Sequence, residues 1–176
     1  DAAADDDDAF PDDDDTLPPD DDDTVFVSPW DGLVITEIMF DPDGVDVGKE
    51  WFELKNTTPF SIDLSGLLID VGTGSHLVAA SIPVPGNGTV VLGQSANAAV
   101  NGNADVDYMY GSGLELDEDS TLALLDGAWI VDDVGMSPPG FPVVEGASIS
   151  LDPFQTTSFA NNMGGNWCIT PAGAYS

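Results

Sequence analysis

The chain has 176 residues, 33 acidic side chains, only two basic residues (both lysine) and a formal charge of -31. This charge argues against nucleic acid and anionic membranes as partners, because both are bound through Lys and Arg. No apolar run approaches the roughly 18 residues that a membrane-spanning helix needs. A single cysteine excludes an internal disulfide, and a single histidine leaves little for a zinc site or a catalytic triad, so we predict a non-enzymatic protein.

Residues 1–24 are an acidic low-complexity segment broken by three prolines, and they carry thirteen of the acidic residues. Like charges and prolines favour an extended, solvated chain, so we interpret 1–24 as an Asp-rich extension or linker. We expect Asp1 to follow a processed or trimmed segment. The extension is also predicted to bind cations loosely, through Asp12, Asp13, Asp14, Asp15, Asp20, Asp21, Asp22 and Asp23.

Residues 25–176 carry twenty acidic residues against two lysines, about -18, and are long enough for one domain. Short β-prone runs between turn signals predict strands at Thr24–Val27, Leu33–Phe40, Glu50–Lys55, Leu67–Val71, Gly88–Gly93, Tyr108–Tyr110, Thr121–Leu125, Trp129–Val131 and Ala147–Leu151. Asp126-Gly127 predicts a hairpin turn, and Ser95–Val100 is allowed one helical turn at most. The pattern predicts an all-β sandwich.

The segment Thr24–Val27 has two interpretations. It is apolar and joined to an acidic arm, so it is either the first strand of its own sandwich or a strand donated to the exposed edge of a neighbouring copy. Thr24, Val25, Phe26 and Val27 are therefore predicted partner contacts. Trp30, which follows them in Ser28-Pro29-Trp30, is a further predicted contact residue.

Several ordered motifs resemble the lamin tail domain family over about residues 33–173. The motifs are the opening strand LVITEIMF (33–40), EWFELKN (50–56), DLSGL (63–67), GASISL (146–151) and the closing NWC with TP (166–171). Leu67 stands where the family usually has Trp, and Ala172 is inserted before Gly173. The resemblance implies an immunoglobulin-like β-sandwich over 25–176.

The resemblance also implies a non-catalytic interaction module, because lamin tails act in that way on filament proteins. Related domains occur in secreted bacterial proteins, and an Asp-rich version without arginine looks more like that kind. We therefore expect an extracellular or cell-surface location in a bacterium. High-salt adaptation is an alternative explanation of the charge that needs no specific ion site.

Two groups of acidic residues are candidate cation sites. Asp41, Asp43 and Asp46 alternate around Gly44, and Glu50 follows, so this loop suits a hard, oxygen-seeking cation such as Ca²⁺. The same letters also encode a solvated turn, which is the alternative. For the second group, Asp117-Glu118-Asp119 with Asp105 and Asp107 upstream, we favour a solvated loop.

Other polar and aromatic residues have simpler interpretations. We expect Glu37 and Glu53 to face solvent beside an edge, the alternative being a shared Lys55 or cation. Trp51, Trp129 and Trp167 are assigned to core or rim packing rather than to sugar platforms, and His76 to a non-catalytic turn. Cys168 is either a buried small hydrophobe or an intermolecular link. Asn56 and Asn87 begin N-x-[ST] sequons.

Three functions remain open, and the first two are the stronger. The first is a structural or adhesive module, with self-association or other surface proteins as partners, that forms a filament subunit stabilised by Ca²⁺ and joined through its N-terminal segment. The alternative is a carbohydrate-binding or targeting module of a larger secreted protein, for which an exposed row of aromatic residues would be the signature. A hydrolase with paired carboxylates is a third, weaker interpretation, because with so many acids pairs arise by composition alone.

Overall fold

The computed structural model describes residues 27–137 and 139–170. The strands are β1 (Leu33–Met39), β2 (Trp51–Asn56), β3 (Ile62–Asp63), β4 (Leu68–Asp70), β5 (Ser75–Leu77), β6 (Pro83–Val84), β7 (Thr89–Gly93), β8 (Tyr108–Met109), β9 (Thr121–Asp126), β10 (Trp129–Gly135), β11 (Ile149–Leu151) and β12 (Trp167–Ile169). The helical content of these residues is one 3₁₀ turn, Gly164–Asn166. None of them forms a helix long and apolar enough to cross a membrane.

The strands form an all-β sandwich, as the turn-rich, alternating sequence predicted. One sheet has the order β12-β11-β1-β2-β7-β8 and the other β10-β9-β4-β5, while β3 and β6 form a separate small pair. All pairs are antiparallel except β7 with β8. Both large sheets contribute side chains to one apolar core, with Phe52 and Leu54 on one side and Ile69 and Leu124 on the other.

Strand β1 is central and buried along its whole length because both faces of its sheet are covered. The inner face meets the main core. On the outer face, Met39, Trp51, Val91 and Ala104 form a second apolar cluster. Trp51 and its neighbour Phe52 therefore lie on opposite faces of β2, as the alternation of side chains along a strand requires.

The predicted strands from Leu33 onward are all present, with shifted ends, and the hairpin at Gly127 is confirmed with a left-handed φ of 59°. The sequence did not predict β3, β5, β6 and β12, which are two or three residues long. β10 also extends four residues beyond the predicted Val131, through two aspartates. Residues 95–100 form turns and no helix.

Candidate functional site

An acidic cavity of about 580 Å³ lies between the β1–β2 loop and the β8–β9 loop. The carboxylates that line it are Asp41, Asp46, Glu50, Glu115, Asp117 and Glu118. None of the described residues lining it is basic. In the second loop Leu114 and Leu116 are buried, so the alternating Glu115 and Asp117 face outward into the cavity.

Glu50 forms the base of this cavity and joins its two sides. Its side chain is 2% exposed, and one carboxylate oxygen accepts hydrogen bonds from the backbone N–H of Leu116 (2.7 Å) and from Gln94 Nε2 (2.8 Å). Gln94 Oε1 in turn accepts from the backbone N–H of Gly48 (2.6 Å). The two loops are therefore tied together through Glu50 and Gln94, which position the other acidic residues around them.

The electrostatics of the cavity are those of repelling carboxylates. Burial raises the pKa of Glu50 to about 7, with further increases from Asp46, Glu115 and Asp117, while the Leu116 hydrogen bond acts in the opposite direction. Burial also raises the pKa of Asp41, together with the nearby Glu145 and Asp46. A positive ligand would relieve both effects, since it favours the ionised carboxylates.

The first predicted cation group is brought together only in part. Asp41, Asp46 and Glu50 share the cavity, but Asp43 lies beside a different depression with Lys49, whose ammonium group donates to the Asp43 backbone carbonyl. Asp43 is thus misplaced in the predicted group, because the left-handed Gly44 turns the loop between it and Asp46.

The second acidic group is divided as well. Asp117 and Glu118 line the same cavity as the first group, whereas Asp119 lies on an adjoining depression with Asp70. Asp107 accepts a hydrogen bond from Val91 N (2.9 Å) and so has a structural role. Sequence reasoning missed Glu115, although its alternation with Leu114 and Leu116 was a usable signal.

The arrangement as it stands is not a formed metal site. Within residues 27–137 and 139–170, no three His, Cys, Asp or Glu side chains are grouped closely enough to hold a metal ion. The carboxylates on the cavity rim, among them Asp46, Glu115 and Asp117, are exposed. They are free to change rotamer, whereas the hydrogen-bonded Glu50 is held in place.

The predicted contact residues fall mostly beyond the described part of the chain. Thr24, Val25 and Phe26 lie outside the described residues, as do the predicted cation ligands Asp12–Asp15 and Asp20–Asp23. Val27 is 67% exposed. Trp30 is not a surface contact: it is 7% exposed in the main core, and its Nε1 donates to the backbone carbonyl of Asp63 (2.8 Å).

The interpretation of Glu37 and Glu53 as solvent-facing edge residues is wrong for Glu37. β1 lies between β2 and β11, so it is not an edge. Glu37 is 6% exposed and accepts hydrogen bonds from the hydroxyls of Ser148 (2.6 Å) and Thr170 (3.1 Å). Glu53 is half-buried and accepts from Thr36 Oγ1 (2.6 Å). Hydroxyl groups, rather than Lys55, are the hydrogen-bond donors to both carboxylates.

Two of the three tryptophans assigned to packing are core residues. Trp51 and Trp167 are buried, while Trp129 is 62% exposed at the end of the β9–β10 hairpin. Cys168 is also exposed, so the alternative of a buried thiol is wrong. β12 is an edge strand in which Trp167 faces the core, and the alternation of side chains directs Cys168 outward.

His76 and the two sequons have ordinary structural surroundings. His76 is half-buried, and its Nε2 lies 2.8 Å from the hydroxyl of Tyr108. Asn56 is the last residue of β2, and its fully buried side chain donates a hydrogen bond to Phe60 in the turn that follows, so this sequon is inaccessible to glycosylation in the folded domain. Asn87 is exposed and has a left-handed φ of 59°.

No protein-family model matches this chain, and no curated protein shows significant sequence similarity to it. The resemblance to lamin tail domains therefore stays a prediction from the motif residues. The site has to be interpreted from its own geometry.

Proposed function

We propose that the chain is a non-enzymatic, extracellular structural or adhesive module of the lamin tail type, stabilised by Ca²⁺ bound in the acidic cavity. The observation that carries this proposal is that six carboxylates from two loops, Glu50 among them, line one cavity that has no basic residue among its described lining residues. Ca²⁺ takes six to eight oxygen ligands in flexible geometry, which suits exposed Asp and Glu side chains on loops. A bound cation would also offset the repulsion within a chain of charge -31.

The mechanism follows from where the ligands lie. Asp41 and Asp46 belong to the β1–β2 loop, and Glu115 and Asp117 to the β8–β9 loop. A cation held by both loops links them in the same way as the Glu50 hydrogen bonds do. Ca²⁺ then stabilises the folded module, because a ligand that binds only the native state lowers its free energy by RT ln(1 + [L]/Kd).

The test is calorimetric titration with CaCl₂, together with thermal unfolding at matched ionic strength. The double variant Asp46→Asn/Glu115→Gln should weaken Ca²⁺ binding by tenfold or more and remove most of the rise in Tm. The control Asp31→Asn/Asp105→Asn removes the same charge from exposed positions that do not line the cavity and should retain wild-type binding. Equal losses in both variants would mean that Ca²⁺ acts only as a general counterion.

The pH dependence of binding gives a second readout at the same site. Because the pKa of Glu50 is raised to about 7, its ionised fraction is about tenfold larger at pH 8 than at pH 6. Ca²⁺ affinity should fall by about that factor over this interval as the pH is lowered, since the cation competes with the proton. Glu50→Gln should bind more weakly and lose this pH dependence.

The alternative, a carbohydrate-binding or targeting module, is favoured by the exposed aromatic residues. Trp129, Phe154 and Phe159 are 62%, 92% and 75% exposed. Stacking of a sugar ring needs exposed aromatic side chains of this kind. A glycan array probed with the full chain would support this function if Trp129→Ala abolished retention of a glycan. An array without retention would leave the structural module as the proposal.

A further inference from the structure

A second acidic site lies inside the sandwich, away from the cavity. Asp132 is on β10 after a bulge between Ile130 and Asp132, and its side chain is 1% exposed. Its Oδ2 accepts hydrogen bonds from the backbone N–H of Ile35 (2.7 Å) and from Asn161 Nδ2 (2.7 Å). Ile35 belongs to the other sheet and Asn161 to the β11–β12 connection. One carboxyl oxygen therefore joins three parts of the fold.

The other oxygens of this pair have no hydrogen-bond partner. Both Asp132 Oδ1 and Asn161 Oδ1 are buried and unpaired within the described part of the chain. An ionised carboxylate and an amide oxygen are both acceptors, so neither can satisfy the other. Leaving two acceptors buried and unpaired carries a desolvation penalty that native structures rarely accept. Asp132 Oδ1 shares its carbon with the acceptor Oδ2, and Asn161 Oδ1 shares its carbon with the donor Nδ2. Both unpaired oxygens therefore belong to the two groups that this hydrogen bond already joins.

A single proton satisfies both atoms. We propose that Asp132 is a proton-binding site: in the native fold its Oδ1 carries a proton and donates it to Asn161 Oδ1, which closes an acid–amide pair with two hydrogen bonds. The pair fastens the β11–β12 connection, residues 152–166, to the junction of the two sheets. Protonation of Asp132 therefore stabilises the attachment of this connection to the sheets. The connection also carries the exposed Phe154 and Phe159.

The charges around Asp132 are consistent with a neutral acid. Burial raises the pKa of Asp132 to about 7 in spite of the hydrogen bonds that it accepts, and the neighbouring Asp133 carboxylate adds a smaller increase. The elements packed around it carry Glu37 on β1, Asp126 on β9 and Asp152 on the connection. No lysine, arginine or histidine occurs on these elements to favour the ionised form.

The sign of the pH effect follows from the two states. In the unfolded chain Asp132 ionises near the ordinary value of 3.8, whereas in the native fold it holds its proton to about 7. Its contribution to stability is therefore complete below about pH 4 and is lost as the pH rises through about 7. Over this window the folding equilibrium constant should fall by up to tenfold per pH unit on account of this group.

The test compares the full chain with Asp132→Asn in urea unfolding between pH 5 and 8.5. The amide supplies permanently the N–H that the protonated acid supplies, so the variant should lose the pH dependence due to this group and should be more stable than the wild type at pH 8.5. Asp105→Asn, the same change at an exposed position outside these elements, is the control and should keep the wild-type slope. A variant that is less stable than the wild type at every pH would overturn the proposal.

A direct measurement keeps the proposal testable if Asp132→Asn fails to fold. The ¹³Cγ chemical shift of Asp132, followed by NMR in the native full chain, should titrate near neutral pH and correspond to a protonated acid at pH 5. A shift that corresponds to the ionised carboxylate throughout the folded range would show that no proton lies between Asp132 and Asn161. Either result decides the question without any variant.

Discussion

At the scale of single residues, burial distinguishes the polar side chains that hold the fold together from the many that are solvated. With 33 acidic residues, composition alone cannot identify Glu37, Glu50 and Asp132, which are the almost fully buried carboxylates among the described residues. Each has hydrogen-bond donors from distant segments, which is the condition for placing a carboxylate in a protein interior.

Asn56 is the neutral counterpart of these carboxylates. Its Nδ2 donates to the carbonyls of Phe60 (2.6 Å), Val84 (3.1 Å) and Pro85 (3.1 Å), and its Oδ1 accepts from Thr58 N (2.9 Å). One amide therefore satisfies several backbone groups between β2 and β7. In the sequence, Asn56 is recognisable only as the start of a sequon and the end of the EWFELKN motif, and neither feature reveals these hydrogen bonds.

We predict that Asn56→Ala lowers the free energy of unfolding by about 3 kcal/mol, because it leaves backbone groups unpaired in a buried turn. Asn162→Ala is the matched control. This residue is exposed and its contacts are solvent-accessible, so a loss below about 1 kcal/mol is expected. Urea unfolding of both variants gives the comparison, and equal losses would contradict the anchoring role of Asn56.

At the scale of elements, the loops are held by close backbone contacts as well as by side chains. The turn at Pro85–Gly88 packs against the turn at Thr57–Phe60, where Asn87 N donates to the carbonyl of Thr58 (2.8 Å). A Cβ atom on Gly86 would lie 2.2 Å from the carbonyl oxygen of Pro59. The approach of these two turns therefore depends on the missing side chain of Gly86.

We predict that Gly86→Ala destabilises the fold by about 2 kcal/mol or more, because backbone atoms rather than a flexible side chain must move. Gly113→Ala tests the same chemical change where no atom lies within 4 Å of the added carbon, and it should stay within about 1 kcal/mol of the wild type. Thermal unfolding of the two variants is sufficient. A neutral Gly86→Ala would mean that the turns separate without cost.

At the scale of the whole molecule, charge governs how copies approach one another. A formal charge of -31 keeps chains apart, and cations reduce this repulsion. If the module assembles through its N-terminal segment, association requires both screening and the apolar residues Val25 and Phe26. Among the described residues, β10 and β12 each lie at an edge of a sheet, and an edge strand is the kind of acceptor that a donated strand needs.

We predict that the full chain sediments as larger species in Ca²⁺ than in chelator at matched ionic strength. Val25→Asp/Phe26→Asp should remain monomeric in Ca²⁺, because the donated segment loses both of its apolar side chains and gains two charges. Ala9→Asp/Thr16→Asp adds the same charge outside the segment Thr24–Val27, and it should still associate. A monomer under all conditions would contradict self-association. It would mean that the acidic charge serves only to keep the chain solvated.

Local pattern was enough to predict most of the strands. Short β-prone runs between turn signals identified β1, β2 and β9, and Asp126-Gly127 identified the hairpin, because these features depend on neighbouring residues. The shortest strands were missed, since two or three residues carry too little pattern. β3 and β6 exist because Ile62 and Val84 are brought into register by the surrounding fold.

The site was predicted only in part, for a related reason. The sequence by itself determined the charge, the all-β architecture and the acidity of both loops. The tertiary structure decided that Asp41 and Asp117 share one cavity, that Trp30 is buried, and that Asp132 meets Asn161. These outcomes depend on which distant segments the two packed sheets bring together. The alternation of side chains along a single strand does not predict contacts between distant segments.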